Sequence, residues 1–241
     1  LPNVLTSIGE SSFSGLLLNS IVLPSTLVNI GDGAFADCPF LTSIEITANI
    51  ESIGNKAFSG CWRLKDITFE NGAKLKTIGA YAFVRNPLTK VRIPANVETI
   101  GSGAFERCTA LTTVTFESGS QLEAIYGDYF YSDYYDHEAS YTLYGAFNGC
   151  TALTSINIPA SVRTLGTTVF QGCSALTKVT FEAGSQLQTI PGSVNEDYYD
   201  FSGVIAWQAH RFGLFADCIS LSSIEIPENV QTIETCAFTG C

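Results

Sequence analysis

The sequence predicts a repeat solenoid of nine short coils that each contain a short β-strand, and three observations lead to this prediction. A phenylalanine returns every 22 to 25 residues, apart from two gaps of 42 and 45 residues. An apolar pattern of the form Leu-x-x-Ile-x-Ile lies between successive phenylalanines, and a cysteine follows seven of the nine by three residues. A period in the twenties is typical of coils that stack to share one core. The nine repeat phenylalanines are Phe13, Phe35, Phe58, Phe83, Phe105, Phe147, Phe170, Phe215 and Phe238.

Within one coil, the Leu-x-x-Ile-x-Ile segment predicts a short strand, because every second side chain of a strand faces the core. A glycine then follows the isoleucine of a second apolar segment, at Gly31, Gly54, Gly79, Gly101 and Gly166. Glycine suits a corner that needs either a positive φ or a close approach of two backbones. Nine coils stacked at about 4.8 Å would form a rod about 45 Å long.

The cysteines predict a buried ladder of reduced thiols. Seven of the eight occupy equivalent positions in successive coils, where a free cysteine serves as a small buried apolar residue. The fourth coil has Asn86 at this position, where an amide can bond to the turn backbone, and the first has Leu16. Cys236 lies off the ladder, and the sequence leaves its state open. The seven are Cys38, Cys61, Cys108, Cys150, Cys173, Cys218 and Cys241.

These repeats resemble the BspA-like leucine-rich repeats of the bacterial surface-antigen type. The copies that carry the resemblance include Leu41–Ile46 with Ala57–Cys61, and Leu153–Pro159 with Val169–Cys173. The resemblance covers the chain outside the two long gaps. It implies a right-handed leucine-rich-repeat superhelix, an extracellular or cell-surface location, and adhesion to a protein of a host or neighbouring cell. Because both ends fall inside a repeat, residues 1–241 are expected to be a single solenoid cut from a longer protein.

Composition excludes several functional classes. Apolar residues make up 46% and charged residues 15% of the chain, which favours a large core over disorder. The net charge of −11 argues against nucleic-acid binding, which needs a basic face. A membrane span is not expected, because a run of 18 apolar residues is missing. No nucleophile–base constellation or cofactor motif is recognisable, so we expect a protein that is not an enzyme and carries no cofactor.

The two long gaps predict loop insertions, about 126–144 and 191–214, at the same point of two coils. They hold nine of the ten tyrosines, both histidines and one of the two tryptophans. Tyrosine and tryptophan provide large contact areas with few torsions to restrain. Because the insertions are two coils apart, about 10 Å, they could form one composite patch. The candidate ligand-binding residues are Tyr126, Tyr129, Tyr131, Tyr134, Tyr135, Tyr141, Tyr198, Tyr199 and Trp207.

Other interpretations stay open at this stage. The aromatic residues could instead pack on each other and on the rod. The chain could be a structural spacer that displays another domain, because its sheet face carries mostly Ser and Thr, or its aromatic residues could bind carbohydrate. No metal site is predicted, because the acidic residues do not match the spacing of a calcium loop. Those considered for calcium are Asp128, Asp133, Asp136, His137, Glu138, Glu196, Asp197 and Asp200.

Overall fold

The computed structural model describes residues 1–132, 140–199 and 206–241, with side chains described for 1–128, 144–194 and 211–241. Over these ranges the chain winds into a parallel β-solenoid, and all its regular elements there are strands. The predicted repeat solenoid is therefore confirmed.

Three kinds of strand build the molecule. The two-residue strands are β1 (Ser7–Ile8), β2 (Asn29–Ile30), β4 (Ser52–Ile53), β6 (Thr77–Ile78), β8 (Thr99–Ile100), β10 (Ala124–Ile125), β14 (Thr164–Leu165), β16 (Thr189–Ile190) and β19 (Thr232–Ile233). The four-residue strands of the rod are β3 (Ser43–Ile46), β5 (Asp66–Phe69), β7 (Lys90–Ile93), β9 (Thr113–Phe116), β13 (Ser155–Ile158) and β15 (Lys178–Phe181). The strands of the insertions are β11 (Tyr129–Ser132), β12 (Ser140–Leu143), β17 (Gly192–Tyr199) and β18 (Ala206–Gly213).

Equivalent strands of successive coils pair in parallel. The two-residue strands form one sheet in the order β1-β2-β4-β6-β8-β10-β14, and β16 pairs with β19. The four-residue strands form the sheets β3-β5 and β7-β9-β13-β15. Along β3, β7 and β13 exposed and buried residues alternate, as the Leu-x-x-Ile-x-Ile pattern predicts. One side of each strand therefore faces the core, and the other presents mostly Ser, Thr and charged side chains.

The nine repeat phenylalanines stack into one continuous column, which we call the phenylalanine ladder. Consecutive rings lie 5.2–5.7 Å apart between centroids, with interplanar angles of 3–15°. Each of the seven rings from Phe35 to Phe215 is fully buried. Full burial of one such side chain contributes about 1.5–3 kcal/mol. The repeat period is therefore the spacing at which each coil adds one ring to the core.

The cysteine ladder is confirmed as a row of free thiols, and its hydrogen bonds explain the equivalent positions. Each Sγ donates to the carbonyl oxygen of a phenylalanine in the preceding coil, as Cys61 does to Phe35 at 3.2 Å and Cys173 to Phe147 at 3.3 Å. Six ladder thiols are buried, while Cys241 is exposed and the off-ladder Cys236 is half-buried. The predicted replacement by Asn86 is confirmed as well, because its Nδ2 donates to the Phe58 carbonyl at 3.0 Å.

The corner glycines are required by close backbone approach and not by positive φ. A Cβ on Gly54 would lie 2.6 Å from the backbone nitrogen of Asp32, and one on Gly79 would lie 2.5 Å from the carbonyl carbon of Gly54. Positive φ occurs elsewhere, two residues after each repeat phenylalanine. Four of those positions hold larger residues, at φ values of 54–60°. These are Asp37, Arg85, Arg107 and Asp217.

Candidate functional site

The two insertions form antiparallel β-hairpins, where the sequence predicted loops. In the first hairpin β11 pairs with β12, and in the second β17 pairs with β18. The strands of the second hairpin pair over eight residues each, from Gly192 opposite Gly213 to Tyr199 opposite Ala206. Main-chain hydrogen bonds join the two arms of such a pair. Each insertion is thus a regular extension of one coil.

Glycines stand where each hairpin meets the rod, because the next coil passes too close for a side chain. A Cβ on Gly145 would collide with the carbonyl oxygen of Thr168, and a Cβ on Gly213 would collide with that of Cys236. The sequence pattern did not single out these positions, although each insertion has a glycine at or next to both of its ends. The four base glycines are Gly127, Gly145, Gly192 and Gly213.

Hydrogen bonds tie the bases of both hairpins to the rod. The Oγ1 of Thr168 donates to the carbonyl oxygen of Asp128 at 3.0 Å, and the backbone nitrogen of Tyr144 donates to the same residue's carbonyl at 2.8 Å. At the second hairpin, the backbone nitrogen of Gly192 donates to Oε2 of Glu234 at 3.0 Å. Because Thr168 and Glu234 belong to the following coils, the rod itself holds the direction in which each hairpin leaves.

Tyr144 anchors the first hairpin on the coils that precede it. Its ring meets the ring of Tyr81 edge to face, with centroids 5.6 Å apart and planes at 88°. Burial raises the pKa of the Tyr81 phenol, and Tyr144 and Glu106 add to the rise. Glu106 is buried beside this pair, and burial raises the pKa of its carboxyl although Arg107 lies 3.6 Å away. This packing at Tyr144 agrees with the interpretation that some insertion aromatics are structural.

The predicted binding residues lie on or next to the hairpins, except two that fall outside the described residues. Tyr126 precedes β11 and is 46% exposed. In the first hairpin Tyr131 pairs with Tyr141, and in the second Tyr198 pairs with Trp207. Tyr129 lies on β11 and Tyr199 on β17. The two outside the described residues are Tyr134 and Tyr135.

One coil separates the two hairpins. Phe170 of that coil stacks between Phe147 and Phe215, at 5.6 Å and 5.7 Å between ring centroids. Phe147 and Phe215 follow the first and second hairpins, respectively. The bases of both hairpins thus emerge from the same corner of the rod, at levels two coils apart. That the hairpins form one composite patch stays a prediction.

The described side chains limit the chemistry that this region can perform. Burial raises the pKa of the Cys108 and Cys173 thiols to about 12, so both are protonated at neutral pH and are poor nucleophiles. Among the described residues, no three His, Cys, Asp or Glu side chains gather closely enough to hold a metal ion. In the same residues, no helix is long and apolar enough to cross a membrane. Part of the acidic set considered for calcium lies outside them, namely Asp133, Asp136, His137, Glu138 and Asp200.

Sequence comparison finds one matching family. The profile of the BspA type leucine rich repeat region (6 copies) matches residues 1–112, 40–135, 76–187, 138–202 and 208–241. These segments together cover the chain except for residues 203–207, which belong to the second insertion and include Trp207. A search of curated protein sequences finds no match.

Several solved structures are similar to the chain, among them the following three. The pneumococcal vaccine antigen PcpA shares 22% identity at a TM-score of 0.56, over 97% of this chain and 48% of that one. A leucine-rich cell surface protein from Faecalibacterium prausnitzii A2-165 shares 26% identity at a TM-score of 0.44, over 98% of this chain and 61% of its own. A leucine-rich repeat protein from Bacteroides ovatus ATCC 8483 shares 23% identity at a TM-score of 0.48, over 100% of this chain and 69% of its own. The likeness to PcpA supports a shared fold, and the chain spans only part of each relative.

Proposed function

The chain belongs to the BspA-type leucine-rich repeat family, and on that basis we propose that it is a non-catalytic protein-binding module of the adhesion type. In this proposal the rod is the scaffold and the two hairpins are the contact surface. The partner is a surface protein of a host or neighbouring cell, and the module acts outside the cell or at the cell surface. The observation that carries the proposal is the aromatic enrichment of two hairpins that leave the rod at equivalent points.

The distribution of tyrosine along the chain supports a binding role for these aromatics. The coils of the rod are built from repeated apolar residues and need almost no tyrosine, since only Tyr81 lies outside the insertions. Tyrosine, tryptophan and arginine dominate the energetically important positions of protein interfaces. Six of the nine candidate residues lie on hairpin strands. A rigid strand loses less conformational freedom on binding than an irregular loop does.

The rod supports the proposal by holding the hairpins in place. The hydrogen bond that Thr168 donates and the one that Glu234 accepts, together with the close contacts at the base glycines, restrict how each hairpin can tilt. Restricting a binding element before the partner arrives lowers the ordering cost of association. A structural spacer would need neither the hairpins nor their anchors, so the spacer interpretation leaves these features without a purpose.

Replacing the strand aromatics by serine is expected to lower binding of the chain to partner cells at least tenfold, because interface aromatics carry most of the binding energy. The measurement is binding of fluorescently labelled chain to intact cells, before and after removal of their glycans. The loss is expected in the binding that remains after glycan removal, and prior treatment of the cells with protease should abolish that remaining binding. The substitutions are Tyr129→Ser, Tyr131→Ser, Tyr141→Ser, Tyr198→Ser, Tyr199→Ser and Trp207→Ser.

A matched control changes the exposed sheet face of one coil, with Thr154→Ala, Ser155→Ala and Asn157→Ala. This variant should bind as the unmodified chain does. Equal losses in both variants would contradict the hairpin as the contact surface. Binding that resists protease but is lost on glycan removal would favour the carbohydrate alternative, and an unmodified chain that binds no cell type would favour the spacer.

A further inference from the structure

Positive charge is concentrated in one section of this acidic chain. Nine of the 12 lysines and arginines, but only 4 of the 23 acidic residues, lie between positions 56 and 107. This section therefore carries a net charge of +5, and the rest of the chain carries −16. The section comprises the three successive coils around Phe58, Phe83 and Phe105. The overall charge of −11 conceals this distribution.

Several of these cations already have acidic or polar neighbours within the protein. Arg92 lies 3.2 Å from Glu117 across neighbouring strands, and the Nζ of Lys74 donates to Asn49 at 2.9 Å. Such residues contribute little free positive charge to a ligand, because their charge is partly neutralised or their donors are engaged.

Three other cations remain available at or next to the face of the four-residue strands. Lys65 directly precedes β5, Arg63 lies in the turn before it, and Lys90 begins the adjacent strand β7. All three are exposed, and none has an ion-pair partner among the described side chains. The guanidinium of Arg63 lies 5.0 Å from the centre of the Phe40 ring, a cation–π contact that restrains it. With Asp66 included, the group has a net charge of +2.

An exposed tryptophan stands beside these cations where the fold does not require one. Trp62 is 57% exposed and, with Arg63, follows the ladder cysteine of its coil. The same two positions hold Thr109 and Ala110 after Cys108, and again Thr and Ala after Cys150. A coil of this rod therefore folds with small residues at this turn, and the exposed indole of Trp62 calls for a cause outside the fold.

We propose that this basic patch, defined as Trp62, Arg63, Lys65 and Lys90, binds a sulfated polysaccharide. Sulfate groups would pair with the three cations, and the flat indole offers a surface against which a sugar ring can stack. A peptide strand has no free edge here, because β5 pairs with β3 on one side and contacts β7 on the other. An extended polyanion needs only charges along an open face. The site is separate from the hairpins and adds a second ligand to the module.

The internal repeats supply a variant that removes the patch and keeps a sequence the rod already folds. Trp62→Thr, Arg63→Ala, Lys65→Thr and Lys90→Thr install the residues found at 109, 110, 112 and 113. The matched control is Lys178→Thr. Lys178 lies in the same row across the strands as Lys90, because Lys90 pairs with Thr113, Thr113 with Ser155, and Ser155 with Lys178. Its own strand, β15, contains no other cation.

The test measures heparin binding to the full chain by calorimetry at low and physiological ionic strength. Heparin should bind, more weakly as salt rises, because polyanion binding releases counterions. The fourfold variant should lose at least about tenfold in heparin affinity. Trp62→Thr alone should lose about fivefold, in line with aromatic stacking energies. Lys178→Thr should stay within about twofold of the unmodified chain, because it removes an isolated charge. A chain with both hairpins removed should still bind heparin. Unchanged affinity in the fourfold variant, absence of heparin binding at low salt, or equally tight binding of polyglutamate would overturn the proposal.

Discussion

Phe105→Ala is expected to lower the free energy of unfolding by about 3–5 kcal/mol, as other deletions of buried phenylalanines do. The ring is fully buried and stacks at 5.3 Å on both Phe83 and Phe147. Its loss leaves a cavity between two coils and removes two ring contacts. In a solenoid each coil is stabilised mainly by its neighbours, so this change also weakens the coupling between the two halves of the rod.

Denaturant unfolding followed by circular dichroism measures the effect. The control is Phe13→Ala, because Phe13 is only half-buried and stacks on Phe35 alone among the described rings. Phe13→Ala should lower the free energy of unfolding clearly less than Phe105→Ala does. The denaturant midpoint should therefore fall further in Phe105→Ala than in Phe13→Ala. Equal costs for the two variants would show that the phenylalanine ladder is not the main source of coupling.

Alkaline pH should destabilise the rod far more steeply than a protein without buried thiols. Burial raises the pKa of Cys61, Cys108 and Cys173 from 9.0 to about 12, and it also raises the pKa of Cys150 and Cys218. Above pH 9 the unfolded chain loses these thiol protons while the folded chain keeps them. Stability is therefore complete below about pH 9 and falls as pH rises towards 12, in the direction that proton linkage requires.

Each such proton changes the free energy of unfolding by about 1.4 kcal/mol per pH unit, so the five thiols together amount to several kcal/mol per unit. The denaturant midpoint should thus fall modestly between pH 8 and pH 9, and much more steeply between pH 9 and pH 10. Cys108→Ala with Cys173→Ala should flatten the drop, whereas Cys236→Ala, off the ladder, should not change it. A midpoint independent of pH up to 10 would contradict a protonated, buried ladder.

Periodicity made the rod predictable, because the same physical requirement recurs in every coil. A ring must stack on Phe35 at the level of Phe58, and a small donor such as Cys61 must reach the carbonyl below it. Asn86 replaces the ladder cysteine in one coil and keeps its hydrogen bond to the phenylalanine carbonyl of the preceding coil. The two insertions could be located for the same reason, because they lengthen the sequence spacing between repeat phenylalanines whose positions in the coil are known.

Other features could not be read from the sequence because one residue type serves several needs. Glycine suits both positive φ and close approach, and only the backbone positions distinguish Gly79, which meets Gly54, from a turn glycine such as Gly72. Arg85 and Arg107 adopt positive φ without any local signal for it. The hairpin form of the insertions depends on pairing between segments that show no clear alternation of apolar and polar residues.

We expect the rod to fold independently of the hairpins and the hairpins to bind the protein partner. Ile78-Gly79-Ala80-Tyr81-Ala82-Phe83 supplies a short turn of the same rod as a template. Residues 126–145 and 191–213 are each replaced by Gly-Ala-Tyr, which restores the Ile-to-Phe spacing of that coil.

The decisive measurement compares the thermal unfolding and the cell binding of this chain with those of the unmodified one. We expect cooperative unfolding at a nearly unchanged midpoint together with loss of binding to cells whose glycans have been removed, because the basic patch on the rod stays intact and still binds sulfated glycans. Retained binding to those cells in the chain without hairpins would contradict the proposal that the hairpins bind the protein partner. Collapse of the cooperative transition would contradict the claim that the rod folds without them.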